Sequence, residues 1–223
     1  MTVNEGSNRK PRPRLSPESI VAAAAAVADR GGLSVVSMRT VAKELGVEAM
    51  SLYYHVKNKD ALIVALAGWV VEQFYLPDAS NDWREEMQKS AASRREVLTA
   101  HPWGLGMIES RGETVEAVLR HHDAILGSLY TVFDVRMAAH AFSLLDAYIY
   151  GFVLTEVNLP FESGQGHENE MAAGLDLSAL PNLSRMFTEI MATGEYSYRA
   201  EYEIGLGLIL DGLEKLNPKD GKR

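Results

Sequence analysis

Three observations predict an all-α fold for this chain of 223 residues. Apolar residues recur at three- and four-residue spacings, as in Met38, Val41, Ala42 and Leu45, the repeat that places side chains on one face of a helix. Segments with that repeat open at Ser or Asn and close at Gly, the capping chemistry of helix ends. No stretch alternates apolar and polar residues as a half-buried strand does.

The first 14 residues are almost free of apolar side chains and interleave Arg9, Lys10, Arg12 and Arg14 with Pro11 and Pro13. They read as a flexible basic tail, because too little surface is available to offset ordering. Order is expected from Leu15: Ser16 is an N-cap, Pro17 suits the first helical position, and Leu15 can staple onto Ile20. This helix should run to about Asp29 and end at Gly31-Gly32. A second starts at Ser37 and stops at Gly46. A third, Ala49 to about Val56, can bury only Leu52 and Val56, which leaves Met50, Ser51, Tyr53, Tyr54 and His55 outward. Asn58 caps a fourth, Lys59 to about Tyr75, apolar nearly all round and therefore buried on several sides. It reads as the link between the N-terminal unit and the body.

Further helices are expected at about 82–100, 102–109, 112–131, 135–158, 181–192 and 195–216. The stretch from Leu159 to Leu180 holds three glycines and no Lys or Arg, the composition of a long loop that is mobile or acts as a lid. The expected division is a tail at 1–14, a helix-turn-helix domain at 15–60, a helical body at 61–218 and a second tail at 219–223.

Composition narrows the function. The 47% apolar content suffices for a core that buries roughly 70% of the unfolded surface. Without cysteine there is no thiolate metal site and no cysteine nucleophile, which fits a reducing cytoplasm. The N-terminal segment lacks the apolar core of a signal peptide. The longest nearly apolar run, Met137–Leu154, carries His140 and Asp146, so no membrane partner is expected. Residues 1–60 hold nine Lys or Arg against six Asp or Glu, whereas residues 61–223 hold thirteen against twenty-four. A basic end thus precedes an acidic body.

Ser37 to His55 reads as helix, glycine turn and short helix, the arrangement that sets a second helix into the major groove of double-stranded DNA. Arg39 is suited to a forked contact with phosphate or guanine. Ser51, Tyr53, Tyr54 and His55 can donate to phosphates or base edges. Ala49 and Met50 would read shape or thymine methyl groups. Lys59 stands at a helix N-terminus, where the backbone also attracts phosphate. The alternative on spacing alone is a helical hairpin with a solvated basic rim.

Residues 37–66, SMRTVAKELGVEAMSLYYHVKNKDALIVAL, resemble the DNA-binding signature of TetR-family transcriptional regulators. The resemblance implies a homodimeric repressor with a C-terminal effector-binding and dimerisation domain, a palindromic operator and a small-molecule effector of unknown identity. It implies that Arg39, Ser51, Tyr53, Tyr54, His55 and Lys59 meet DNA. Where the tetracycline repressor has Gln-Pro this chain has Ala49-Met50, so a different operator follows.

The stretch around REVLTAHPWGLGM is similar to the C-terminal domain of the tetracycline repressor. Its metal-related histidines are replaced, one by Phe74-Tyr75 and one near Met107, which disfavours tetracycline–magnesium recognition. An apolar pocket with a few polar groups is the default effector site. Its candidates are Trp69, Trp103, Met107, His122, Phe142 and Tyr148, each of which has a core reading too. His122 in particular falls on the stripe Val115, Val118, Ile125, Leu129. The helices at 135–158 and 195–216 are expected to dimerise, with Ala138, Ala141, Gly205 and Gly207 permitting close approach, or else to complete one subunit's core. No cofactor, metal site or catalytic residue is expected, because His121-His122-Asp123 point about 100° apart on a helix and phosphate loops and nucleophile elbows are absent. A DNA-binding regulator or architectural protein without an effector is the second reading, and a helical enzyme the third.

Overall fold

The computed structural model describes residues 15–108, 115–159, 176–190 and 196–216. The basic tail at 1–14, most of the 159–180 stretch and the end from residue 217 lie outside these. Among the described residues there are ten α-helices and no strand. They are α1 (Pro17–Gly31), α2 (Met38–Leu45), α3 (Ala49–Leu52), α4 (Lys59–Val71), α5 (Trp83–Ala100), α6 (Leu105–Ile108), α7 (Glu116–Tyr130), α8 (Val135–Val157), α9 (Pro181–Glu189) and α10 (Tyr198–Lys215). The chain forms two compact units, Met1–Trp69 and Val70–Arg223, with α4 running from the first into the second.

The first unit is organised by caps. Ser16 and Ser19 form a reciprocal capping box at the start of α1, with Pro17 behind the cap. Ser37 and Thr40 repeat the device at α2, and the Asn58 side chain accepts from the Ala61 N–H at 2.8 Å to open α4. Each arrangement satisfies amide donors that a helix start leaves unpaired. Ile20, Ala24, Val36, Val41 and Leu52 close the core, and Arg30 on α1 pairs with Glu44 on α2.

In the second unit α5 packs on α7 and α8, and α8 on α7 and α10. Trp83, Met87, Ala91 and Leu98 of α5 share the interior with Ile125 and Leu129 of α7 and with Ala138, Ala141, Leu145, Ile149 and Val153 of α8. The apolar length of α8 would suffice to cross a bilayer. Its buried residues recur every three or four positions, however, and its Asp146 pairs with Arg94, the pattern of a core helix with one open face.

Several boundaries differ from expectation. The third helix closes at Leu52 and continues as turns through His55, because Leu52 alone anchors it before Val56 turns inward. The fourth ends at Val71, four residues early, where the chain bends toward the Glu86 carboxylate that binds Tyr75. The segment expected as one helix at 102–109 splits into a 3₁₀ turn over Pro102–Gly104 and α6. On α7 the buried face runs through Ala117, His121, Ile125 and Ser128, so the histidine within the core is His121, while His122 is half-buried. Of the small residues, Ala138 and Ala141 are buried inside the subunit. Gly205 admits the Tyr148 ring of the same subunit, whose hydroxyl would lie 2.3 Å from an added Cβ.

Candidate nucleic-acid interface and interior polar cluster

The first site is built outward from a fixed turn. Gly46 takes a left-handed conformation with φ of 66°, which an L side chain adopts only at a cost. Its N–H and that of Val47 close the carbonyls at the end of α2. This turn delivers α3, whose Leu52 is fully buried, and the Leu52 carbonyl accepts both the His55 and Val56 N–H groups at 2.9 Å.

With Leu52 and Val56 inside, their neighbours are forced out. Met50 is 72%, Tyr53 48% and Tyr54 89% exposed. Arg39, His55, Lys57 and Lys59 are exposed as well, whereas Ala49 and Ser51 are half-exposed. Two aromatic rings and a thioether held outward on so short an element, with cations on both sides, cannot be explained by the unit's own packing. The arrangement has the donors, the apolar contacts and the positive charge that a duplex groove requires.

The six candidate pocket residues have different surroundings. Trp69 lies in the first unit. Trp103 and Met107 are buried. The His122 and Phe142 rings meet edge to face at 5.0 Å. Tyr148 instead stacks on Tyr202, at 5.5 Å between ring centroids, and donates to the Tyr202 carbonyl at 2.8 Å.

The polar groups that organise this unit's interior escaped the sequence reading. Glu86 is fully buried and accepts from Tyr75 Oη at 2.7 Å, the Asp78 N–H at 3.0 Å and Lys89 Nζ at 2.9 Å. Those bonds, the Asp78 amide foremost, draw its pKa down to about 2. Arg94 and His121 are also buried. Burial, followed by the charge of Arg94, pushes the His121 pKa down to about 3, so this imidazole is neutral. The available signal was positional: Arg94 interrupts the stripe Met87, Ala91, Leu98, and a charge on a buried face demands a partner.

The second unit has a groove of about 680 Å³ between α5 and α10, lined by Arg95, Thr99, Arg199, Tyr202 and Glu203 among others. A cleft of about 360 Å³ lies among Val71, Phe74, Leu76, Ala117, Arg120 and His121. Within the described residues no group of three or more acidic or histidine side chains could hold a metal ion.

An all-α chain with a capped helix-turn-helix and a helical second unit is a DNA-binding transcriptional regulator in class. Residues 20–66 match the family model for bacterial regulatory proteins of the tetR family, and residues 76–217 match the tetracyclin repressor-like C-terminal domain. The chain belongs to the TetR family. It is 29% identical over 206 residues to the tetracycline repressor protein class A from transposon 1721 of Escherichia coli, covering 91% of this chain and 92% of that one. It is 28% identical over 226 residues to the HTH-type transcriptional repressor DrrR1 of Streptomyces coeruleorubidus, covering 94% and 81%. The transcriptional regulator SCO7222 from Streptomyces coelicolor superposes with a TM-score of 0.74 at 21% identity, over 92% of this chain and 100% of that one. That likeness concerns the fold.

Proposed function

We propose that this regulator is a ligand-responsive repressor that binds a palindromic operator as a homodimer and is released by a small-molecule effector in its second unit. The observation that carries the reading is the outward set Met50, Tyr53 and Tyr54 around the buried Leu52. In this reading Arg39 makes a forked contact, Ser51, Tyr53, Tyr54 and His55 donate to phosphates or base edges, and Lys59 holds a phosphate. Ala49 and Met50 take the apolar contacts.

Dimerisation is supported by Leu144 and Leu154 on α8 and Ile204 and Leu208 on α10, large apolar side chains left exposed on long helices. A two-fold interface would present two recognition helices to half-sites ~34–36 Å apart, or a multiple of that spacing. Release is supported by the continuity of α4 between the units and by the names of the two relatives, both repressors. Effector and operator binding should be coupled by ~1–3 kcal/mol, and DNA must weaken effector affinity by the same factor.

The test is a footprint on DNA flanking the chain's own gene, with light scattering to count subunits per site. A protected palindrome carrying two chains supports the reading, and a small molecule that lifts protection completes it. Protection without dyad symmetry would overturn the homodimer. Protection that no effector relieves would favour an architectural role.

A further inference from the structure

Among the described residues three buried side-chain atoms have no hydrogen-bond partner: Arg94 Nε, His121 Nε2 and Ser128 Oγ. A helical serine hydroxyl rotates freely toward its own backbone, so Ser128 points to nothing. The other two are fixed by planar groups, both more than nine-tenths buried. Unmade hydrogen bonds in such places are costly and call for an explanation.

Their surroundings supply one. His121 lines the cleft of about 360 Å³, whose rim carries the exposed pair Glu72 and Arg120 at 3.6 Å. Arg94 faces a second, much smaller cavity of about 10 Å³ beside Met87, Ile125 and Phe142, room for about one water. A chain of rings separates the two spaces. Phe74 meets His121 at 5.2 Å, His121 meets His122 at 6.4 Å, and His122 meets Phe142 at 5.0 Å. Aromatic walls accept a flat apolar body between them.

The two orphan atoms are of opposite kind. The His121 ring is neutral and already bonds the Tyr75 backbone, which leaves Nε2 as a lone-pair acceptor that needs a donor. Arg94 gives one arm to Asp146 through Nη2, and its Nε–H remains a charged donor. The residual charge pattern favours an anionic oxygen and opposes a cation.

We propose that the His121 cleft is the mouth of the effector site, and that its occupant is a planar aromatic hydroxy acid. The hydroxyl donates to His121 Nε2, the acid oxygen accepts from Arg94 Nε, and His122 and Phe142 part to join the two spaces. This rests on the effector reading above and adds the chemistry of the ligand.

The test uses the full chain and calorimetry with four probes: 6-hydroxy-2-naphthoate, whose hydroxyl and carboxylate stand at opposite ends of the ring system, 2-naphthoate, 2-naphthol and 2-naphthylmethylammonium. The hydroxy acid should bind at least tenfold more tightly than the acid or the naphthol alone, and the ammonium should not bind. Arg94→Lys should weaken both acids at least tenfold and spare 2-naphthol. His121→Phe should weaken both hydroxylated probes and spare 2-naphthoate, a split that loss of folding would not produce. Equal affinity across the probes, no binding of the hydroxy acid, or tight binding indifferent to both variants would overturn the proposal. Operator release is followed in parallel. Tight, variant-sensitive binding without release supports this ligand chemistry while breaking the effector reading.

Discussion

The first unit carries its distinctive side chains outside and the second carries them inside. Around the Gly46 turn the interior is purely apolar, with Leu52 and Val41 fully enclosed, while tyrosines and cations stand in solvent. Beyond α4 the α8 helix leaves Leu144 and Leu154 exposed, and the buried set includes Glu86, Arg94 and His121. A surface for a polyanion needs reach and charge but little enclosure. A site for a small molecule needs polar groups withdrawn from water, where a hydrogen bond discriminates strongly between partners. The contrast predicts that neighbouring substitutions will act on folding or on binding according to which side of the wall they touch.

The largest effect expected from breaking that contrast lies at Leu52. Leu52→Ala removes a fully enclosed side chain and should lower stability by about 2–5 kcal/mol. Tyr54→Ala, two residues on and almost wholly in solvent, should stay within about 0.5 kcal/mol of the parent while weakening operator DNA about tenfold or more. Chemical denaturation paired with a DNA titration measures both. A Tyr54 variant that unfolds early would mean its ring is structural.

The buried side responds to acid. His121 should gain no proton in the folded state until pH falls to about 3, whereas the unfolded chain takes one near 6.5. Between those values the unfolded state binds more protons, so stability falls as pH falls, by up to about 1.4 kcal/mol per pH unit. His121→Phe should flatten this slope. Glu86, drawn from 4.5 down to about 2, stabilises the fold above its unfolded value and loses that contribution only as pH drops through the lower window. Glu86→Gln should therefore leave the slope above pH 5 intact. Denaturation midpoints from pH 7 to 3 separate the two, and identical profiles would place His121 in water.

Glycine at the turn comes next. Gly46→Ala forces a side chain into φ of 66° and should cost about 1–2 kcal/mol, with Gly46→Asn milder because asparagine tolerates that region. No atom lies within 4 Å of an added Cβ there, so the penalty is purely conformational. If melting temperatures rank alanine above glycine, the turn is not held left-handed in solution.

The two regions also differ in how much the sequence discloses. The first unit is local: caps at Ser16, Ser37 and Asn58, the glycine stop and the outward tyrosines are each fixed by neighbours within about five positions. The helix order of the second unit was readable for the same reason. Its interior was not, because Arg94 meets Asp146 across 52 residues and Tyr202 reaches the Ala91 carbonyl across 111. Such partners depend on how helices rotate about their axes. A shift of one residue on α7 exchanged His122 for His121, and no spacing rule fixes that rotation to better than about 100°. The surroundings of Tyr148 were hidden for the same reason, since the space its ring occupies lies against the distant Gly205.

The smallest predicted effect tests the electrostatic half of the outer surface without touching its shape. Lys59 is exposed at the first position of α4, where the Asn58 cap leaves other amide groups of the first turn open to an anion. If it neutralises one phosphate, Lys59→Ala should reduce the slope of log affinity against log salt by about 0.9. Preference among operator variants should persist, because a point charge on the backbone carries no base information. Titrations from 50 to 200 mM salt on two related sequences provide both readings. A lost preference with an unchanged slope would move Lys59 from the phosphate to the base edges. Reading of the sequence would then extend beyond the exposed tyrosines, onto the helix that enters the second unit.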